Sequence, residues 1–464
     1  AAAEDAEEKI KKGVSIDSVD VSGMTASEAT KALKTVVSDK TATTVTLDVN
    51  GKSVQTTLGN LGYKWSNKTV VDEAVNTGKI GNIIKRYKDG LDLQHNGMKF
   101  NVEMSFNKDT LKKKLQTICA DYEIKAKNAS LEATGHGFKI IKEKEGVTVD
   151  YDKTVEQLYT YVTEKWNKKA NIKLTATTTV SKPKYTTEDC EKVSNEPMGS
   201  YTTEFSVGSS YANRNLNIQN GAKLINGAVV YPGEQYSCNE NLYPWTEDNG
   251  WHPAGTYVDG GVQDSLGGGI CQVSSTLYNA LLRAEIKVVK RFPHSMAVGY
   301  VPLSADAALA GDYKDLVFEN DTDAPIYVQG IYNSGGSITF NIYGHDTRKA
   351  GHSVKYESKT IKTTPVKTQT KKDSSKPVGY SEVESSGHVG YVAELWKITY
   401  ENGKQVSKEL IHTSTYAMSP TIVVKGTKKA STTTKKDDSD KDDKKSSEKT
   451  TKKSTSSKKS KKSE

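Results

Sequence analysis

The sequence predicts an α+β, multidomain protein: two related α+β repeats, a cysteine-centred α+β domain, and a small all-β domain toward the C-terminal end. Three observations lead there. First, LGYKWSNKTVVDEA, from Leu61, reappears as EGVTVDYDKTVEQL, from Glu145, with Gly62 and Gly146 84 positions apart. Second, from Ser200 to about Asp346 the chain becomes rich in Gly, Tyr and short β-like runs around one clear helix. Third, the Thr-rich segments that follow alternate around Asn402-Gly403, a hairpin signal because both central positions of a type I′ turn need positive φ.

In chain order, Thr25 and Glu28 form a capping box ahead of TASEATKALKTV, which predicts a helix. TVTLDVNGKSVQTT then alternates around Asn50-Gly51 as a hairpin. The second copy repeats the plan. LKKKLQTI puts Leu111, Leu115 and Ile118 on one helical face, and ASLEATGHGFKIIKE alternates around Gly135 and Gly137. The polar connector SKPKYTTEDCEKVSNEP then predicts a domain boundary.

Composition narrows the function classes. A chain of 464 residues with 35% hydrophobic content and a mean hydropathy of −0.64 reads as several small, well-solvated domains. No run of about 18 apolar residues occurs to span a bilayer. The start AAAEDAEEKIKK predicts that a signal peptide or membrane anchor has been removed, leaving 1–13 as a linker. The net charge of +8 invites a nucleic-acid reading, but 14 lysines against 7 acidic residues from Thr427 onward place +7 of it in the tail. Residues 428–464 are therefore expected to be a disordered Lys/Ser/Thr tail, a solubilising segment able to interact loosely with anionic wall polymers, and nucleic acid is not an expected partner. Four widely separated cysteines and eight scattered histidines match neither a disulfide scaffold nor a zinc site, so no metal and no cofactor is expected.

Chemistry concentrates in GGGICQVSSTLYNALLRAEI. Val273, Leu277, Ala280, Leu281 and Ala284 recur at helical spacing, so a helix with one buried face begins just after the glycines. Cys271 stands at its N-terminus, where unpaired N–H groups and the positive end of the macrodipole favour thiolate over thiol. The three glycines leave room for a substrate carbonyl, and the N–H groups of Cys271 and Gln272 could form an oxyanion hole. Gly269, Gln272 and Ser274 are the oxyanion and substrate-binding candidates. A lone helix-end cysteine is more often a buried, inert thiol. The next motif, RFPHSMAVGYVP, shifts that balance, because a helix-end cysteine with a histidine on an adjacent strand is a nucleophile–base arrangement. His294 is the expected base. Asp306 or Asp315 could orient its second nitrogen, and Asp312, Asp321 and Asp323 compete with them.

NRNLNIQNGAKLINGAVVYPGEQYSCNE, GGGICQVSSTLYNA, PHSMAVGYVP and DLVFENDTDAPIYV, in that order, resemble a complete VanW domain over 200–346. By that resemblance Cys271 and Gln272 lie in the central motif, His294 is the family histidine, Asp306 fits the acidic position, and Asn239 and Thr246 also match. Cys238 stands where an aromatic residue is usual, and LSADA replaces a glycine-containing turn. DVSGMTASEA resembles the opening of the peptidoglycan-binding repeats that often precede VanW domains, here 14–98 and 99–188. Residues 352–427 resemble a G-five domain, with Gly387, Gly390, Gly403 and Gly426 as its recurring glycines.

The resemblance implies an extracytoplasmic protein, in the cell wall or membrane-anchored, of a Gram-positive-type bacterium. Its partners would be peptidoglycan stem peptides and glycan strands, with membrane contact only through the missing anchor. It also implies a peptidoglycan L,D-transpeptidase that cross-links stem peptides through a cysteine acyl-enzyme. A wall cysteine peptidase or amidase, or a non-catalytic peptidoglycan-binding scaffold, are the alternatives. The flanking modules are expected to hold the enzyme on the wall and take no part in the chemistry.

Overall fold

The computed structural model describes residues 8–258 and 261–429, so the first part of the expected linker and the tail from 430 lie outside the described residues. The protein is mixed α+β and multidomain, with an all-β C-terminal region. Helix α1 (Ala26–Thr41) starts at the capping box: the Thr25 hydroxyl accepts from Glu28 N–H at 3.2 Å, and Thr25 N–H donates to the Glu28 carboxylate at 2.9 Å. Such a cap contributes about 1 kcal/mol. Strands β1 (Thr44–Val49) and β2 (Lys52–Thr57) follow, joined through Asn50 and Gly51 at φ 53° and 77°. Helix α1 and α2 (Val70–Asn76) bury Ala29, Leu33, Val70, Val71 and Ala74 with Val14 and Ile16 in a first core.

The hairpin does not join that core. Val45, Leu47, Val49 and Val54 pack with the next repeat, made of α3 (Lys108–Cys119), the hairpin β3 (Ser130–Thr134) and β4 (Gly137–Ile141), α4 (Tyr151–Thr160) and β5 (Ile172–Thr175). They meet Leu111 and Leu115 of α3 and Val155 and Leu158 of α4, and β1 pairs in parallel with β5. The second hairpin shifts one unit along in the same way: Leu131 and Phe138 pack with Cys190, Val193, Tyr327 and Tyr343. A two-stranded hairpin cannot bury its own apolar face, so each one borrows the following unit. The division at 98/99 thus separates sequence copies and not cores. Nor is the connector before Ser200 a free linker. It carries a short helix, Thr187–Glu191, and Tyr185 stacks on Tyr231 with centroids 4.6 Å apart while donating to the Pro232 carbonyl at 3.0 Å.

The central domain has a four-stranded antiparallel sheet built from β6 (Gly199–Glu204), β7 (Ala228–Val230), β8 (Ile326–Asn333) and β9 (Ser337–Tyr343), in the order β6-β9-β8-β7. Helices α5 (Ala212–Ile225) and α6 (Ile270–Arg283) pack on it. The sequence predicts one buried face for α6, but every residue from Gln272 to Leu282 is buried. It is the domain's core helix. Its polar side chains are hydrogen-bonded inside, as when the hydroxyls of Thr203 and Thr276 meet at 2.8 Å.

The all-β region comprises β10 (His352–Thr364), β11 (Thr368–Pro377), β12 (Ser381–Ser385), β13 (Gly390–Glu401), β14 (Lys404–Tyr416) and β15 (Thr421–Lys428). Asn402 and Gly403, at φ 48° and 77°, turn β13 into β14. One sheet, β10-β13-β14, lies in the same compact unit as the domains before it, which takes in residues up to Thr363 and Tyr391–Tyr416. The other, β11-β15-β12, belongs to a second unit, in which β15 pairs in parallel with β11 and antiparallel with β12.

Candidate active site

The glycines before α6 serve close packing. A Cβ on Gly268 would lie 2.3 Å from the Ala254 carbonyl oxygen, and Gly269, at φ 104°, would drive one to 2.8 Å from Arg214 Cγ. Neither glycine could carry a side chain here. Both features bring the start of α6 tight against its neighbours and leave Cys271 half-buried in its first turn.

The Cys271 sulfur accepts a hydrogen bond from Leu309 N–H at 3.4 Å, and the thiol can donate to the Leu309 carbonyl at 3.5 Å. His294, 9% exposed, is hydrogen-bonded to the sulfur on its other side. Its Nδ1 lies 2.6 Å from Asp306 Oδ2, and its backbone N–H donates to the same oxygen at 2.7 Å. That leaves Nε2 for the thiol, with the Tyr300 hydroxyl 3.4 Å from it. Burial pushes the thiol up, but the hydrogen bond and charge of His294, with the Leu309 N–H, outweigh it and hold Cys271 below the ordinary value of 9.0. Burial works against the imidazolium too; Asp306 and the sulfur overcome it and push His294 up to about 9. Both shifts favour the thiolate–imidazolium form of the pair.

Asp306 is 1% exposed and remains ionised because four donors converge on it. His294 takes Oδ2, while Arg291 Nη2 at 2.8 Å and the Tyr416 hydroxyl at 2.5 Å take Oδ1. Against the penalty of burial, these partners hold its carboxyl well below the usual carboxylate range. Three of the four competing acids are committed elsewhere. Asp315 accepts from Ser237 Oγ at 2.6 Å and Asn239 N–H at 3.0 Å, Asp323 pairs with His345 at 2.7 Å, and Asp321 accepts from Lys287 N–H at 3.4 Å.

The side chains of Gln272 and Ser274, expected to bind substrate, are fastened inside the protein. The Gln272 side chain, 1% exposed, donates to Thr203 Oγ1 at 2.9 Å and the Glu204 carbonyl at 2.8 Å and accepts from Arg214 at 2.7 Å, while its backbone N–H donates to the Gly269 carbonyl. Ser274, fully buried, donates to the Ala307 carbonyl at 2.6 Å, and Ser275 Oγ accepts from Ala307 N–H at 2.9 Å, clamping the Asp306 loop onto α6. We expect Gln272→Ala to lower unfolding free energy by about 2–3 kcal/mol, since it strips buried acceptors of their donor, while the folded protein keeps rapid Cys271 alkylation. Slow alkylation at unchanged stability would contradict this.

Residues 291–309 form an irregular segment, not the strand expected at MAVGYVP. Ala308 N–H donates to the Phe292 carbonyl at 2.8 Å, and side chains supply further hydrogen bonds: Arg291 donates to the Asp306 and Ser304 carbonyls at 2.6 and 3.3 Å, alongside the serines of α6. Asn239 holds the next loop through the carbonyls of Gly311 and Lys314, and the Thr246 hydroxyl caps a short turn by accepting from Asn249 N–H. The other three cysteines are buried and free, and burial pushes Cys119 and Cys190 up to about 11 and Cys238 well above the ordinary value. Sequence reasoning missed Arg291, Tyr300, Leu309 and Tyr416. Arg291 could have been found in the RFPH motif, whereas nothing marks Tyr416, 110 positions beyond Asp306. Its contact revises the expectation that residues after Gly351 stay clear of the site.

Residues 213–343 match the family model described as "VanW like protein", 54–171 the model "Putative peptidoglycan binding domain", and 355–428 the model "G5 domain". The chain is similar to "Uncharacterized protein YoaR" of Bacillus subtilis (strain 168), 37% identical over 164 residues, 35% of this chain and 53% of that protein. It is also similar to "Vancomycin B-type resistance protein VanW" of Enterococcus faecalis (strain ATCC 700802 / V583), 28% identical over 116 residues, 24% of this chain and 42% of that protein. The chain spans about half the length of these curated relatives. A solved structure, "IgA1 Protease G5 domain structure", aligns at 31% identity over 18% of this chain and 96% of that one, with a TM-score of 0.14. The chain carries a VanW-like domain, preceded by a segment of peptidoglycan-binding type and followed by a G5 domain, the domain set of a cell-wall-associated protein.

Proposed function

We propose that this protein is a peptidoglycan L,D-transpeptidase, with Cys271 as nucleophile, His294 as acid–base and Asp306 as the carboxylate that orients His294. The observation that carries the reading is the continuous hydrogen-bonded chain from Cys271 through His294 to Asp306. Cys271 Sγ attacks the carbonyl carbon of an L-centre in a donor stem peptide. A C–S bond forms, the amide C–N bond to the terminal D-residue breaks, and the departing amine takes the proton from His294. An acceptor amine then attacks the thioester and returns a proton to His294 as the C–S bond breaks. The negative charge on the carbonyl oxygen develops beside the α6 N-terminus, whose dipole stabilises it.

The match over 54–171 and the G5 match support peptidoglycan as the partner and the cell wall as the location. Linking wall-binding modules to a catalytic domain raises its effective concentration at an insoluble polymer, by about 100-fold in attachment. The test is to incubate full-length protein and Cys271→Ala with muropeptides and read products by mass spectrometry. Cross-linked dimers from the parent alone support transpeptidation; shortened monomers alone would replace it with hydrolysis.

The ionisation pattern adds a pH prediction. Turnover should rise with pH as Cys271 loses its proton, with a midpoint below 9.0, and fall as pH passes about 9, where His294 gives up the proton the leaving amine needs. An activity still climbing through pH 10 would contradict the assignment of His294.

A further inference from the structure

We propose that β14, the last strand of the sheet shared with the catalytic unit, is a working part of the active site, with Tyr416 the positioning residue that holds Asp306 for His294. This rests on the reading of Cys271 as nucleophile. Side chains two apart on a strand share a face, and His412, Ser414 and Tyr416 all point from β14 into the Asp306 loop. The Tyr416 hydroxyl donates to Asp306 Oδ1 and accepts from Ser304 N–H at 2.7 Å. Ser414 Oγ lies 2.8 Å from Ser304 Oγ and accepts from Arg291 Nη1 at 2.9 Å. His412 Nδ1 lies 3.1 Å from Ser304 Oγ, and its Nε2 2.8 Å from the Tyr278 hydroxyl.

Two features point to positioning and not to mere docking. The carboxylate is divided: Arg291 and Tyr416 fix Oδ1, so Oδ2 stays directed at His294. Ser304, two residues before Asp306, has φ 68°, a left-handed conformation that a non-glycine residue keeps only when its surroundings impose it. Here β14 imposes it, through three side chains.

The experiment measures iodoacetamide alkylation of Cys271 across pH in the full chain, by peptide mass spectrometry, with the three buried cysteines as internal references. The other groups that face the thiol, imidazole and carboxylate, namely Tyr300, Arg291, Tyr278 and His412, and Arg214 near Tyr300, remain unchanged in every variant. In Tyr416→Phe the carboxylate loses a donor and can turn away from the imidazole, which then holds the thiolate less well. Alkylation at pH 7 should slow about 10-fold, a shift of about one pH unit in the profile toward the ordinary thiol value. Tyr416→Phe/Ser304→Gly separates the roles, since glycine accepts φ 68° freely. If the hydroxyl positions Asp306, the double variant stays shifted; if Tyr416 only props the turn, it recovers the parent profile and the proposal fails. Should Tyr416→Phe not fold, the relaxed turn of the double variant carries the same comparison. An unshifted profile in either folded variant also overturns the proposal. Parent Cys271 that alkylates no faster than the other three thiols would sink the catalytic reading itself, a result distinct from a fast parent with an unshifted variant.

Discussion

Cys271→Ala should lower turnover of a muropeptide donor by at least about 10⁴-fold, because Cys271 supplies the sulfur of the acyl-enzyme, and removing the nucleophile of a coupled set removes most of the set's effect. The fold should survive. Among the described residues the sulfur's backbone partner is Leu309, so the loss costs about 1–2 kcal/mol, and the helix start tolerates a methyl group. Circular dichroism and the unfolding midpoint check the second part, product analysis the first. A folded variant with undiminished product would end the assignment of Cys271.

Asp306 carries the other large expectation, and here stability and activity should fall together. Asp306→Ala leaves the Arg291 guanidinium, 7% exposed, without its counter-charge and strands the donors of His294 and Tyr416, which costs about 3–5 kcal/mol. Asp306→Asn keeps the shape but lacks the charge that stabilises His294 as an imidazolium; turnover should drop by about 10³–10⁴-fold. The sign of the pH effect follows from the depressed carboxyl. Its contribution to stability is present above the unfolded value of 3.8 and is lost as pH falls through the lower folded value, so the parent's acid unfolding should be steeper than that of Asp306→Asn. Equal acid unfolding in the two proteins would show that Asp306 is not the buried anion described here.

What the sequence disclosed were features encoded locally. The capping box at Thr25, the positive-φ pairs at Asn50-Gly51 and Asn402-Gly403, and the helix after Gly269 all depend on residues within a few positions of one another. Cys271, His294 and Asp306 were legible because they fall within 36 positions and follow a recognisable motif order. Features that depend on distant partners were hidden. Periodicity reported one apolar face of α6, yet Ser274, Ser275, Thr276 and Asn279 are buried too, because their polar atoms find backbone and hydroxyl partners up to 73 positions away. The exchange of hairpins between successive units was hidden for the same reason, since a hairpin's alternation shows which face it buries but not against what. For Gln272 the place beside the cysteine suggested substrate, while its side-chain partners Thr203, Glu204 and Arg214, 58 to 69 positions earlier, were not legible.

The most direct measurement is the intact mass of the full-length protein quenched in acid during turnover of a soluble tetrapeptide muropeptide. The account predicts an adduct equal to the donor lacking its terminal D-residue, mapping to Cys271, absent from Cys271→Ala, and discharged when an acceptor amine is added. A protein that sediments with purified sacculi yet forms neither adduct nor product would contradict it, and would leave a wall-binding protein whose cysteine takes no part in chemistry.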